Sequence, residues 1–257
     1  MSLNFALMYK AIVFDLDGTA VANTREATPS QRLIKAVAAA RGHSHLIAAT
    51  GRPFSAAMPV IAALGLTDPC VILGGTVIID PKTHTVVQQI TLTPAAVAAI
   101  FNALKPFPYQ LYIRDEGIGE SLSAAPHHLN AEIEIMFAED VVEPDATHMK
   151  QVLNAIPDTL ATSAPSWSGR GEIIMITHRN GTKEHAVAEV LRQLGVKKAQ
   201  TIGVGDGDND VHLFAAVGHK IAMGNAGPAL KAAADEIAPH IDEDGLAQII
   251  ERYGVKK

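Results

Sequence analysis

A single cysteine, Cys70, stands among 257 residues, which excludes an intrachain disulfide and any zinc cluster built on several thiolates. Aromatic residues are also scarce, at 5% with one tryptophan, and leave little from which to build base-stacking platforms for nucleic acid. No excess of positive charge is present either: 21 Lys and Arg are interspersed with 27 Asp and Glu, for a formal net charge of -6. Such a surface does not gather nucleic acid or coat an anionic membrane. No apolar run approaches the roughly 20 residues that cross a bilayer, and the first residues carry no basic lead into a sustained apolar stretch. Together these absences describe a soluble, cytoplasmic protein that meets a small molecule, with no nucleic-acid or membrane partner, and they leave its oligomeric state open. The signatures of several enzyme classes are missing as well: no Gly-Lys dipeptide for a P-loop, no GxSxG for a serine hydrolase, no HExxH pair for zinc.

What is present suits a folded α/β protein, with 48% hydrophobic residues to fill a core. Ala11-Ile-Val-Phe14 is a short, continuous apolar run with β-branched residues, the pattern of a strand buried on both faces. Met8-Tyr9-Lys10 reads as the natural lead into it, with an extension before Met8. A helix is expected over 29–41, capped by Thr28 and stopped by Gly42, then a strand over 45–50, a helix over 53–64 ended by Gly65, and a strand over 69–73. This alternation predicts a doubly wound, mostly parallel sheet. From about Asp80 the pattern changes to alternating, proline-interrupted stretches, with a helix over 94–104, and simple alternation returns near Lys183. The expected organisation is therefore a core formed by 1–80 and 181–257, with an α+β cap domain, 81–180, inserted into it.

Asp15 and Asp17 follow the first strand, at the sheet end where open α/β folds bind ligands. Their i, i+2 spacing puts both side chains on one face if the extended conformation persists. Two carboxylates so placed repel unless a cation or a shared proton lies between them. Gly18 permits a sharp departure of the chain, and Thr19 is expected to hydrogen-bond within the turn. A second acidic cluster, Asp206-Gly-Asp208-Asn209-Asp210, follows another apolar strand and opens a helix. It is no EF-hand: counted from Asp206, the places of the loop glycine and the closing glutamate hold Val211 and Val217. Asp208 is explained by the helix dipole alone. Thr50-Gly51-Arg52 passes from strand to helix and offers a hydroxyl and free N–H groups of the kind that bind phosphate, although a plain N-cap accounts for it too. Lys183 would begin a helix, the unfavourable end for a cation, which makes sense if an anion lies near.

In this order the four motifs, Asp15-Leu-Asp17-Gly-Thr19, Thr50-Gly51-Arg52, Lys183 and Gly205-Asp206-Gly-Asp-Asn209-Asp210, resemble those of the haloacid dehalogenase superfamily, and specifically its Cof-type, sugar-phosphatase-like subgroup. Ala222-Met-Gly-Asn225-Ala226 and Asp242-Glu-Asp-Gly245 also match. The resemblance implies a phosphomonoester hydrolase acting on a small phosphorylated metabolite such as a sugar phosphate. Asp15 would be the nucleophile that forms an aspartyl-phosphate, and Asp17 the general acid and base. Magnesium would sit on Asp15, the Asp17 carbonyl and Asp206. Thr50 and Lys183 would hold the phosphoryl oxygens, with Gly51, Arg52 and Asn209 at the phosphate, and Asp210 supporting Lys183 and the metal shell. A phosphomutase shares this core and is the alternative enzyme. A ligand-sensing protein of the same fold is a third reading, disfavoured by the intact Asp15, Asp17, Lys183 and Asp206. Two departures from the subgroup, Gly74-Gly75-Thr76 in place of Asn-Gly-Ala and Glu184 after the lysine, bear on the substrate. Candidate substrate contacts from the inserted part are Arg114, Glu116, His127, His128 and Arg170.

Overall fold

The computed structural model describes residues 9–113, 120–121, 132–166, 168–207 and 209–255. Arg114, Glu116, His127, His128, Asp208 and the stretch before Met8 lie outside the described residues. The chain divides into two compact units, Met1–Gln88 with Lys183–Lys257, and Gln89–Thr182.

In chain order the first unit opens with β1 (Ala11–Phe14), α1 (Gln31–Ala40), β2 (His45–Ala48), α2 (Phe54–Leu64), β3 (Cys70–Ile72), β4 (Val77–Asp80) and β5 (Thr85–Gln89). The second unit follows with α3 (Pro94–Leu104), β6 (Leu111–Ile113), β7 (Glu120–Ser121), β8 (Met136–Val141), α4 (Asp145–Asn154), β9 (Thr159–Pro165) and β10 (Glu172–His178). The chain then returns to the first unit with α5 (Lys183–Gln193), β11 (Thr201–Gly205), α6 (Asp210–Ala216), β12 (His219–Ala222), α7 (Pro228–Ala233), β13 (Glu236–Ile237) and α8 (Gly245–Tyr253).

The central sheet of the first unit runs β13-β12-β11-β1-β2, and its neighbouring strands pair in parallel. A parallel bridge from Ala49 to Val71 carries it on toward β3. β1 is wholly buried, as its unbroken apolar run requires, and each such Val, Ile or Phe contributes about 1.5–3 kcal/mol by leaving water. Val13, Ile47, Val71, Val187, Val190 and Leu213 form one core between this sheet and α5 and α6. The doubly wound α/β architecture is thus the one the alternation predicts. Local details differ. Helix α1 starts later than expected because Ser30, not Thr28, accepts the N–H of Leu33 as its cap. The strands β4 and β5 form a three-stranded sheet with β3 and remain with the first unit almost to its boundary at Gln88.

The second unit is built on the antiparallel sheet β7-β6-β8-β10-β9. Its own core joins Val97 and Ile100 of α3, Met149 and Leu153 of α4, and Ile174 and Ile176 of β10. Among the described residues no helix is long and apolar enough to cross a membrane.

Candidate active site

Chain order reverses between β1 and β11: the strands after β1 are laid down on one side of it and β11 to β13 on the other. A crevice opens outside the carboxyl ends of parallel strands at such a switch point, and ligands bind there. Phe14 is in register with Val204, and the N–H of Asp15 donates to the Val204 carbonyl at 3.0 Å. The two acidic runs therefore leave adjacent strands at the same level. Thr50 leaves β2 on the other flank of β1 and is fully buried.

Lys183, the first residue of α5, is 2% exposed and lies between two carboxylates. Its Nζ donates to Asp15 Oδ1 at 2.6 Å and to Asp210 Oδ1 at 2.7 Å. These are the anions that a cation at a helix N-terminus requires. Asp210 is itself fully buried, and its other oxygen accepts the N–H groups of Asp206 and Gly207, each at 3.0 Å. Its carboxylate is thereby spent on orienting Lys183 and the turn that carries Asp206. Asp206 accepts the Thr19 hydroxyl at 2.8 Å and lies 3.5 Å from Asn225 Nδ2, which donates more closely, at 2.7 Å, to the Gly18 carbonyl. The Thr19 hydroxyl thus crosses to Asp206 instead of closing its own turn.

Acidic groups crowd one another in this cluster. One oxygen each from Asp15, Asp206 and Asp210 lie within 4.8 Å of one another. Burial, reinforced by the neighbouring aspartates, pushes Asp15 well above the usual carboxylate range in spite of Lys183. Burial and then Asp210 push Asp206 up to about 7. Lys183 is desolvated too, but the charges of Asp15 and Asp210 outweigh that cost and raise it. With all three carboxylates ionised, one ammonium leaves a net charge of two negatives, which a divalent cation would balance. The donor set fits a hard cation: all oxygen, with Asp15 and Asp206 the carboxylates that could hold it, since Asp210 is engaged elsewhere.

Asp17 does not share the direction of Asp15. The strand ends at Phe14, and the Leu16 carbonyl accepts the N–H groups of Ala20 and Val21 at 2.8 and 2.9 Å, which curls the chain into a turn. The period-two expectation consequently fails here, and Asp17 meets Arg52 with a shortest contact of 2.6 Å. Arg52, expected at the phosphate, is instead buried against Asp17 and backbone carbonyls. Thr50 Oγ1 accepts the Arg52 N–H at 3.1 Å, and the turn of the departing Gly74-Gly75-Thr76 pins this segment from behind. There Leu73 N–H donates to the Arg52 carbonyl and Gly74 N–H to that of Thr50, both at 3.0 Å, with Gly74 at a φ of 69° that suits glycine. Gly51 sits in the same bend, half-buried. Asn209 precedes α6 without capping it through its side chain. Arg170, in the second unit, is exposed and pairs with Asp140 at 3.2 Å. Thr19 and Asn225 are side-chain neighbours of Asp206 that spacing alone does not assign; their only signal is that each sits inside a motif run.

A family model described as haloacid dehalogenase-like hydrolase matches residues 12–250. Among curated proteins, the HMP-PP phosphatase of Serratia proteamaculans (strain 568) is 25% identical, over 96% of this chain and 96% of its own length. Among solved structures, BT1666 of Bacteroides thetaiotaomicron, described among phosphatases of the haloalkanoate enzyme superfamily, superposes with a TM-score of 0.80 at 18% identity, covering 96% of each chain. The subclass IIB sugar phosphatase BT4131 superposes with a TM-score of 0.79 at 23% identity, covering 95% of this chain and 99% of that one.

Proposed function

The chain belongs to the haloacid dehalogenase-like hydrolase family and is a phosphatase, and we propose that it cleaves small phosphomonoesters, sugar phosphates foremost, with magnesium and through a phosphoryl group carried on Asp15. The observation that carries this reading is the set of buried Asp15 and Asp210 and half-buried Asp206 gathered with Lys183 at the switch point of the sheet. A carboxylate so placed attacks phosphorus as the bond to the leaving oxygen breaks, and Asp17 gives that oxygen a proton. Asp17 then takes a proton from the water that opens the aspartyl-phosphate and releases inorganic phosphate. Lys183 and Thr50 hold the phosphoryl oxygens, and Asp210 keeps Lys183 aimed at Asp15. Asp15 and Asp206 would hold magnesium, which when bound would neutralise the charge that phosphoryl transfer spreads over the oxygens. Phosphoryl transfer needs positioning and charge compensation above all, and this set supplies both.

We assign selection of the leaving group to the unit Gln89–Thr182. Sugar phosphates come first because BT4131, similar over nearly the whole chain, is described as a sugar phosphatase. The test is phosphate release over a panel of phosphorylated metabolites, with magnesium and with EDTA, for the wild type and for Asp15→Asn. Release that depends on magnesium and is lost in the variant is the expected result. An equally active Asp15→Asn rules out the nucleophile, and isomerised product without phosphate release would replace hydrolysis with a mutase reaction.

A further inference from the structure

Among the described residues Arg52 is the largest fully buried side chain, at 1% exposure, and a guanidinium that deep must have every donor satisfied. Its five N–H groups are all placed. Nε divides between the two Asp17 oxygens at 3.1 and 3.0 Å. Nη2 donates to Asp17 Oδ1 at 2.6 Å and to the Thr24 carbonyl at 2.7 Å. Nη1 donates to the carbonyls of Arg25 and Ala56, both at 3.2 Å. Nothing is left over to bind a phosphate, the task that position alone suggests for this residue.

The pair is asymmetric in a useful way: the Arg52 side chain is 0% exposed, whereas the Asp17 carboxylate is 22% exposed. The carboxylate is thus gripped by a rigid fork from the protein side and stays reachable from the solvent side. A planar guanidinium held on two edges fixes the orientation of a carboxylate, which a single ammonium does not. The fork is itself fixed, because its backbone is tied to Thr50 Oγ1 and Leu73 N–H, and its far edge to the 24–25 loop that follows Asp17. We infer that Arg52 is a positioning residue for proton transfer, holding the Asp17 carboxylate in the orientation from which it serves the leaving oxygen. This inference rests on the phosphatase reading above.

The test uses the intact chain with magnesium and compares two leaving groups. p-Nitrophenolate departs without needing a proton, whereas the alkoxide of a sugar phosphate needs one. For Arg52→Lys and Arg52→Ala, the ratio of kcat/KM on p-nitrophenyl phosphate to kcat/KM on the sugar phosphate that the wild type cleaves fastest is expected to rise about 10²-fold, the lower range for loss of general acid help. Asp17→Asn should show the same rise, and Asp17→Asn/Arg52→Ala no more than Asp17→Asn alone, because the two residues act as one unit. An equal loss on both substrates would overturn the inference while leaving the phosphatase reading intact. So would failure of both Arg52 variants to fold, judged by circular dichroism, which would assign the residue to the fold instead. A wild type that cleaves neither substrate would remove the phosphatase reading itself, and the inference with it.

Discussion

Replacing Lys183 by methionine keeps the volume of a long side chain and removes the ammonium that bridges Asp15 and Asp210. At the observed 2.6 and 2.7 Å, each contact has a gross attraction of about 6 kcal/mol at an effective dielectric of about 20. Much of this is offset in the wild type by the cost of desolvating three charged groups, so the gross figure is not the net worth of the lysine. Breaking a buried pair by removing one partner nevertheless strands the other, at about 3–5 kcal/mol. For metal-free Lys183→Met we expect that loss at pH 8, where carboxylates must ionise in the unfolded chain. At pH 5 the loss should shrink to roughly 1–2 kcal/mol, because protons on the raised Asp15 and Asp206 substitute for the missing cation. Urea unfolding in EDTA at both pH values measures it. A loss under about 1 kcal/mol at pH 8, or the same loss at both pH values, would refute the account of Lys183 as the cation that permits this cluster to be buried.

Gly18 has a φ of 74°, and a Cβ built there lies 2.0 Å from Asp206 Oδ2. Gly18→Ala should therefore displace that carboxylate and lower magnesium affinity by about 10–100-fold, as read by titrating magnesium against phosphate release; unchanged affinity would show that Asp206 does not hold the ion. In the metal-free protein, Asp206 is raised to about 7 from an ordinary 3.8, so the folded state binds the proton more tightly than the unfolded state. Its contribution then falls as pH rises from about 4 to about 7, by on the order of 4 kcal/mol at most. The wild type should lose stability across that window relative to Asp206→Asn, and magnesium should restore more at pH 8 than at pH 5. Parallel pH profiles for the two proteins would contradict the shift.

Where the candidate site residues stand in the fold is legible in the sequence, and the partners of each side chain are much less so. An apolar run that stops at an aspartate names both a buried strand and what stands at its end, since burial on both faces demands the run and water demands its end. That is sufficient to bring Asp15 and Asp206 to one sheet edge once β1 and β11 pair. The start of a helix at Lys183 is legible for a similar reason, and the anions that justify it are indeed present. Hydroxyl and amide partners are set by tertiary approach, so Thr19 reaches a residue 187 positions away and Ser30 takes the cap that Thr28 was expected to supply. The boundary near residue 80 is blurred because β4 and β5, although they alternate like the strands beyond them, complete a sheet begun by β3.

The most consequential difference is between Asp15 and Asp17. A spacing of two residues suggests two carboxylates facing one cation, and that holds only while the chain remains extended. The turn closed on the Leu16 carbonyl ends the extension after one residue, and the two aspartates separate. Asp15 goes to Lys183 inside the acidic cluster, and Asp17 goes to Arg52 outside it. Under the mechanism proposed above, Asp15 and Asp17 have two different roles, and separate cations suit them. A nucleophile must stay beside the charges that neutralise phosphate, whereas a group that gives and takes a proton is better kept off the metal and held in place by its own support. Gly18 makes this separation geometrically affordable, since its positive φ turns the chain just where Asp206 would collide with any larger residue.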